Sequence, residues 1–351
     1  MGMSLTKYKN EISSAIKDVS WSVWNRQGVN GTGGVNRFSV DIEASIVMLA
    51  YAARLDERLY ENAKTWLSKY GDIVIRERLS SLVKDLDDQW LFRFLGAAFE
   101  SLDDPHWKGV IDNCRKALKK YSNKQKEELR ISGGARGWKK EDKIFSSWGI
   151  LKGESGANVI LQDHAKILSS NALISYRYLI GATVRADIFY LYALSQRLKN
   201  KSWVNCISTS RLANLLGCYN SSIYRIERDF EKAGLLLKGG KKTDVWSAGS
   251  KNLMIHSQPI ESGIINWIEI SKAIIVTMNF FITTEGVTNE IILKSKLSDL
   301  QDQIFPLLVE NGFWVPAAYG KMLGKLEPFT SDDLAEMISK SFQKMAMKMS
   351  G

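Results

Sequence analysis

Between residues 185 and 249 the hydrophobic spacing changes period several times in quick succession, and few folds accommodate the result. "RADIFYLYALSQRLKN" (185–200) has helical spacing, with Ile188, Leu191, Tyr192, Ser195 and Leu198 on one side. A short apolar piece, "WVNCI", separates it from "STSRLANLLG" (208–217). Ser208 there is an N-cap residue type, Leu212, Leu215 and Leu216 face inward, and Gly217 stops the helix. Asn220 or Ser221 is placed to cap a third helix, in which Ile223, Ile226, Phe230 and Ala233 make one apolar stripe. Gly234 ends that helix, and "LLLKGGKKTDVWSAG" reads as strand, basic glycine turn, strand.

Helix, short strand, helix, tight turn, helix, strand, turn, strand is the element order of a winged helix-turn-helix, whose third helix enters the DNA major groove. Opposite the apolar stripe the spacing sets Ser221, Ser222, Tyr224, Arg225, Arg228 and Lys232, with Asn220 at the helix start. Short hydroxyls allow close approach to base edges. Arginine can grip guanine O6 and N7 with two bonds, worth about 1–3 kcal/mol of discrimination per good pair. Lys238, Lys241 and Lys242 surround the Gly239-Gly240 turn, a wing tip within reach of a phosphate backbone or minor groove. Ser208, Thr209 and Arg211 open the middle helix, where free amides and the helix dipole favour a phosphate. Residues 176–250 hold twelve Lys and Arg against five Asp and Glu, so +7 of the chain's formal +10 falls in this segment. A positive field attracts polyanions, and the expected partner is double-stranded DNA.

The rest predicts a mainly α protein, and 351 residues suffice for two or three domains at roughly 100–200 residues each. Residues 1–121 read as a helical N-terminal domain that opens with a helix and an irregular loop or small hairpin around "GVNGTGGVNRF". From Asp41, an N-cap type, "DIEASIVMLAYAARL" puts Ile42, Ile46, Leu49 and Ala53 on one face. The next helix repeats the pattern with Leu59, Ala63, Trp66, Leu67 and Tyr70 and ends at Gly71. Asp103-Asp104-Pro105 opens one more helix, to about Tyr121. Residues 122–164, rich in Gly, Ser and Lys, read as a partly mobile connector with a basic surface. The winged helix occupies 165–250. Helices near 264–284, 289–311 and 331–349 make a helical C-terminal domain, 251–351, with a seam of Leu297, Leu300, Ile304, Leu307 and Leu308.

Signals for catalysis are weak. "GVNGTGGVN" lacks GxxxxGK[ST], and the third glycine of GxGxxG falls at Asn36. His106, His164 and His256 stand apart, without HExxH or a Cys/His cluster. Glu141-Asp142-Lys143 matches only the loose [DE]-x-K tail of a nuclease motif. The expectation is therefore a non-enzyme with no catalytic residue, cofactor or metal. Cys114, Cys206 and Cys218 build neither a disulfide framework nor a CxxC site, which suits a reducing compartment. The N-terminus has no apolar signal region, and the longest apolar run, "AIIVTMNFFI", is half of the ~20 residues a membrane span needs. The expected location is the cytoplasm, away from membranes.

The phrases "WSVWNRQGVNG", "FSVDIEASIVMLAYAARLDERLYENAKTWLSKYGDIVIRERLSSLV" and "IGATVRADIFYLYALSQ", followed by "STSRLANLLGCYNSSIYRIERDFEKAGLL", resemble a bacterial family of large predicted winged-helix transcriptional regulators. The resemblance covers most of residues 20–100 and 165–250. It implies a helical N-terminal domain joined to a central DNA-binding winged helix. Family members start the third helix with GY-(S/T)-(K/R)-x-x-(V/I), whereas "GCYNSSIY" lacks the basic residue, so the base-reading set departs from the family pattern. On this reading the flanking helical domains serve a homodimer or a signal. The alternative is an antitoxin-like module that binds a partner enzyme through its helical domains. There "EMISKSFQKMAMKMSG" would be an adaptable docking helix, unless Met337, Met345 and Met349 are core.

Overall fold

The computed structural model describes residues 2–32, 34–36, 38–121, 126–130, 140–154, 159, 161–197, 207–238, 245–248, 264–315 and 330–350. Leu198, Cys206, Lys241, Lys242 and His256 lie outside the described residues. The chain is mainly helical. Helix α1 (Gly2–Arg26) leads through an irregular segment to α2 (Ile42–Leu55). Asp41 caps α2, its Oδ1 accepting from the Ala44 amide at 3.0 Å. In place of one apolar face, every residue from Ile42 to Arg54 is buried. Neighbours on all sides account for this. Helices α1, α3 (Glu57–Tyr70), α4 (Arg76–Leu86) and α5 (Gln89–Glu100) pack on α2, as does the later helix Trp267–Thr283. Alanines at 44, 50, 52 and 53 let them approach closely, and a helix covered on every side is a core helix even though it carries Glu43, Ser45 and Arg54.

On α3 the expected face holds, with Leu59, Ala63, Trp66, Leu67 and Tyr70 buried. Gly71 does not take the left-handed cap. It is right-handed and starts a single 3-10 turn, Gly71–Ile73, where a Cβ would stand 2.7 Å from the Trp107 ring. Asp104 caps a second 3-10 turn at Pro105, and α6 (Lys108–Leu118) follows.

The described part of 122–164 departs from a loose basic connector. Strands β1 (Glu127–Glu128) and β2 (Ile150–Leu151) pair in parallel around α7 (Lys143–Ser147), and Phe145, Trp148 and Ile150 are buried. Gly96 on α5 leaves room for Trp148, since a Cβ there would lie 2.2 Å from the indole. Lys152 is buried as well, its Nζ 2.9 Å from Glu61 and 3.5 Å from Glu57 on α3. Charge that reads as surface in the sequence thus clamps this segment down.

After α8 (His164–Ser170) and α9 (Ala172–Ile180) come the elements of the opening stretch. They are α10 (Val184–Arg197), β3 (Ile207–Ser208), α11 (Thr209–Leu216), α12 (Asn220–Lys232), β4 (Leu236–Lys238) and β5 (Val245–Ala248). The strands form an antiparallel sheet in the order β3-β5-β4, with Ile207 opposite Trp246 and Leu236 opposite Ala248. Gly217 ends α11 in the left-handed conformation (φ 61°, ψ 39°), and the Cys218 amide closes the turn on the Ala213 carbonyl at 2.9 Å. The cap of α12 differs from expectation. Tyr219 occupies that position without a side-chain bond, so neither Asn220 nor Ser221 is the cap. Ala233 is exposed, outside the stripe.

Helices α13 (Trp267–Thr283), α14 (Glu290–Glu310) and α15 (Ser331–Ser350) complete the chain. Leu297, Leu300, Ile304 and Leu308 are buried, and Leu307 partly so. α15 lies along α1, and buried side chains of 2–121, 184–236 and 264–349 join one continuous core. Met337, Met345 and Met349 belong to that core, so the methionine face of α15 is already occupied.

Candidate nucleic-acid interface

Helix α12 has two faces, separated by its own periodicity. Inward lie Ile223 and Phe230, with Phe230 edge-on to Phe189 of α10 at 5.7 Å between ring centroids. Between them Glu227 is fully buried, although by type alone it reads as a surface acid. Its Oε1 accepts from the Tyr192 hydroxyl of α10 at 2.6 Å, and its Oε2 from the Thr209 hydroxyl of α11 at 2.7 Å. One carboxylate therefore ties three helices together. A signal was available, because Glu227 is four residues after Ile223 and three before Phe230, inside the apolar stripe.

Outward, Asn220, Ser221, Ser222, Tyr224, Arg225, Arg228 and Lys232 are all exposed, which brings the predicted α12 set onto one surface. Among the described residues none of Arg225, Arg228 and Lys232 has an ion-pair partner. Asp229, at the edge of this face, is bound by Arg185 of α10 at 2.6 Å. Tyr219 is outside the expected set, yet its ring stands 83% exposed at the head of the helix.

The start of α11 is divided. Arg211 is exposed. Ser208 Oγ accepts from the Arg211 amide at 3.2 Å and lies 3.1 Å from Ser210 Oγ, so it serves as the helix cap. Thr209, expected beside a phosphate, is turned inward to Glu227. Of the wing lysines, Lys238 closes β4 with its backbone opposite Trp246, and Lys241 and Lys242 fall outside the described residues. The local charge is also smaller at the surface than in the sequence. Arg177 is buried against Glu43 and Asp187, and Arg185 is paired. The outward charges of α11 and α12 are Arg211, Arg225, Arg228 and Lys232, with Glu231 against them.

The remaining candidates are structural in their contacts. Asp142 of the Glu141-Asp142-Lys143 tripeptide caps α7, accepting from the Ile144 and Phe145 amides at 3.0 and 3.1 Å. His164 stacks on Tyr70 at 5.7 Å. Burial raises the thiol pKa of half-buried Cys218 and pushes that of Cys114 to about 12, so both are held as thiols. Among the described residues no group of three or more His, Cys, Asp or Glu is arranged to hold a metal, and no helix is long and apolar enough to cross a membrane.

No family model matches the chain, and neither a curated protein nor a solved structure shows significant similarity to it.

Proposed function

We propose that residues 184–248 form a winged helix-turn-helix that binds double-stranded DNA through α12, in a protein that regulates transcription. The carrying observation is the outward face of α12: three hydroxyl side chains, two arginines and a lysine on one exposed surface, with its flanking acid drawn off by Arg185. The element order and the three-stranded β3-β5-β4 sheet beside it support the same reading. A helix with its side chains is about 10–12 Å across and fits the ~12 Å major groove. Docked by its N-terminal half, α12 sets Ser221 and Ser222 near base edges and Arg225 one turn on. Arg228 and Lys232 then approach the backbone, where contacts position the protein without reading sequence.

The test is fluorescence anisotropy against duplexes selected from a random pool, over a range of salt. Arg225→Ala should cost about 1–3 kcal/mol and relax the sequence preference, and adding Arg228→Ala should weaken binding to selected and random duplexes alike. The salt slope should fall by about one for each phosphate that is no longer neutralised. An unchanged affinity in a variant with an unchanged circular dichroism spectrum would sink the assignment.

A further inference from the structure

Glu43 is fully buried in the first turn of α2, and its two oxygens gather donors from three directions. Oε1 accepts from the Ile75 amide at 2.8 Å and Arg177 Nη1 at 2.7 Å. Oε2 accepts from Arg78 Nη1 at 2.6 Å and Arg177 Nη2 at 2.8 Å. Each arginine then reaches a different helix. Arg177 grips Asp187 of α10, Nε to Oδ1 at 2.8 Å and Nη2 to Oδ2 at 2.7 Å. Arg78 donates Nε to the carbonyl of Leu216, the last residue of α11, at 2.7 Å, while its Nη groups hold Asp41. That carbonyl is one of those a helix leaves without an intrahelical donor.

Helices α10 and α11 are also the two that Glu227 joins to α12. Two routes therefore run from one carboxylate to α12. The first passes through Arg177, Asp187 and α10 to Tyr192 and Glu227. The second passes through Arg78 and the Leu216 carbonyl into the turn Gly217-Cys218-Tyr219. Side chains of two more helices border the turn, since a Cβ on Gly217 would lie 2.9 Å from Leu82 of α4 and 3.0 Å from Ile268 of α13. Guanidinium forks fix geometry more tightly than a point charge does, and a satisfied buried network rigidifies what it touches.

We propose that Glu43 is a positioning residue for α12: by holding Arg78 and Arg177 together it makes the helical body set the pose in which α12 meets DNA. The proposal rests on the DNA-binding reading of α12. Glu43 lies on a different helix and contacts no residue of the outward face.

The experiment uses Glu43→Gln in the full chain. Three acids (Asp41, Glu43, Asp187) face two arginines here, so an isosteric amide leaves the charges balanced while one of the two shared acceptor oxygens is replaced by a donor among guanidinium donors. Hydrogen exchange of amides 217–224 should quicken about tenfold, and the preference for a selected over a random duplex should fall about tenfold, the loss expected when a preorganised element must be ordered on binding. The salt slope should stay unchanged, since every phosphate-facing side chain is kept. A purely structural role would alter melting temperature and leave the duplex preference alone. Arg78→Lys, which keeps the charge and loses the fork, is expected to act in the same direction and serves if the glutamine variant does not fold. Unchanged exchange, or faster exchange with unchanged duplex preference, overturns the proposal. If the unmodified protein binds no duplex, the DNA reading and its presentation role fall together, while exchange at 217–224 still shows whether Glu43 pins the turn.

Discussion

Arg177→Met strips a buried guanidinium of every bond it makes while keeping most of its stem volume. The side chain donates five hydrogen bonds of 2.7–2.9 Å, to both oxygens of Glu43, both of Asp187 and the Ile73 carbonyl. Five is the full complement of guanidinium donors. Methionine supplies none. Glu43 retains Arg78, but Asp187 is left buried with its fork gone. Removing one partner of a buried pair costs about 3–5 kcal/mol, a large share of a typical ~5–15 kcal/mol folding free energy. Urea unfolding followed by tryptophan fluorescence should show the unfolding free energy falling by that amount, seen as a lower midpoint at constant slope.

The pH dependence has a definite sign. Burial already raises the Asp187 pKa above its ordinary 3.8, only partly offset by Arg177, so losing Arg177 raises it further. A carboxyl with a raised folded pKa favours the fold fully below 3.8 and loses that contribution as pH rises through the folded value. The variant's deficit should therefore be larger at neutral pH than at about pH 4, and Asp187→Asn added to Arg177→Met should recover at least half of it. A deficit under about 1 kcal/mol at neutral pH, or one that does not shrink on acidification, refutes the reasoning.

Other expectations follow from single contacts. Burial pushes the Glu43 carboxyl up, but Arg177 and Arg78 overcome this and hold it at about 2, below its ordinary 4.5. Its contribution, about 3 kcal/mol, is thus present above pH 4.5 and lost as pH falls toward 2, and acid unfolding of Glu43→Gln should lack that component. Gly96→Ala would set a methyl 2.2 Å from the Trp148 ring, costing about 1–3 kcal/mol by overpacking and shifting tryptophan emission to the red as the ring is displaced. Glu227→Ala removes the acceptor shared by the Tyr192 and Thr209 hydroxyls, and the loss of these two buried bonds should destabilise by about 1–3 kcal/mol in calorimetry, with Glu227→Gln milder.

What could be read in advance was what one turn of chain decides. Ser208 and Gly217 bracket α11 as expected, because a cap oxygen and a left-handed glycine act on amides and carbonyls a few residues away. The same shortness of range explains the miss at α12. Tyr219, Asn220 and Ser221 are adjacent, two of them are good capping types, and a one-residue shift of the boundary puts both inside the helix. The outward set Ser221, Arg225, Arg228 and Lys232 was legible because the 3.6-residue period needs no partner to be known.

Charged residues failed as surface markers wherever their partner was distant. Arg177 meets Glu43 across 134 residues, and Arg78 meets Leu216 across 138. No window over either segment contains the other. A buried acid is tolerated only when paired or bonded, so its burial is a property of the assembled fold and not of its neighbours in sequence. α2 shows the same limit for apolar residues, since its stripe of Ile42, Ile46, Leu49 and Ala53 is real but the opposite side is covered too, by helices from both ends of the chain. The consequence is specific. Residues 184–248 look separable by pattern, yet α10 and α11 are tied through Arg177 and Arg78 to a carboxylate on α2, near the N-terminal end of the chain. Excised alone, the segment would lose Glu43, Arg78 and Arg177, leaving Asp187 and the Leu216 carbonyl without their guanidinium donors. It should therefore melt well below the full chain even with the surface of α12 intact.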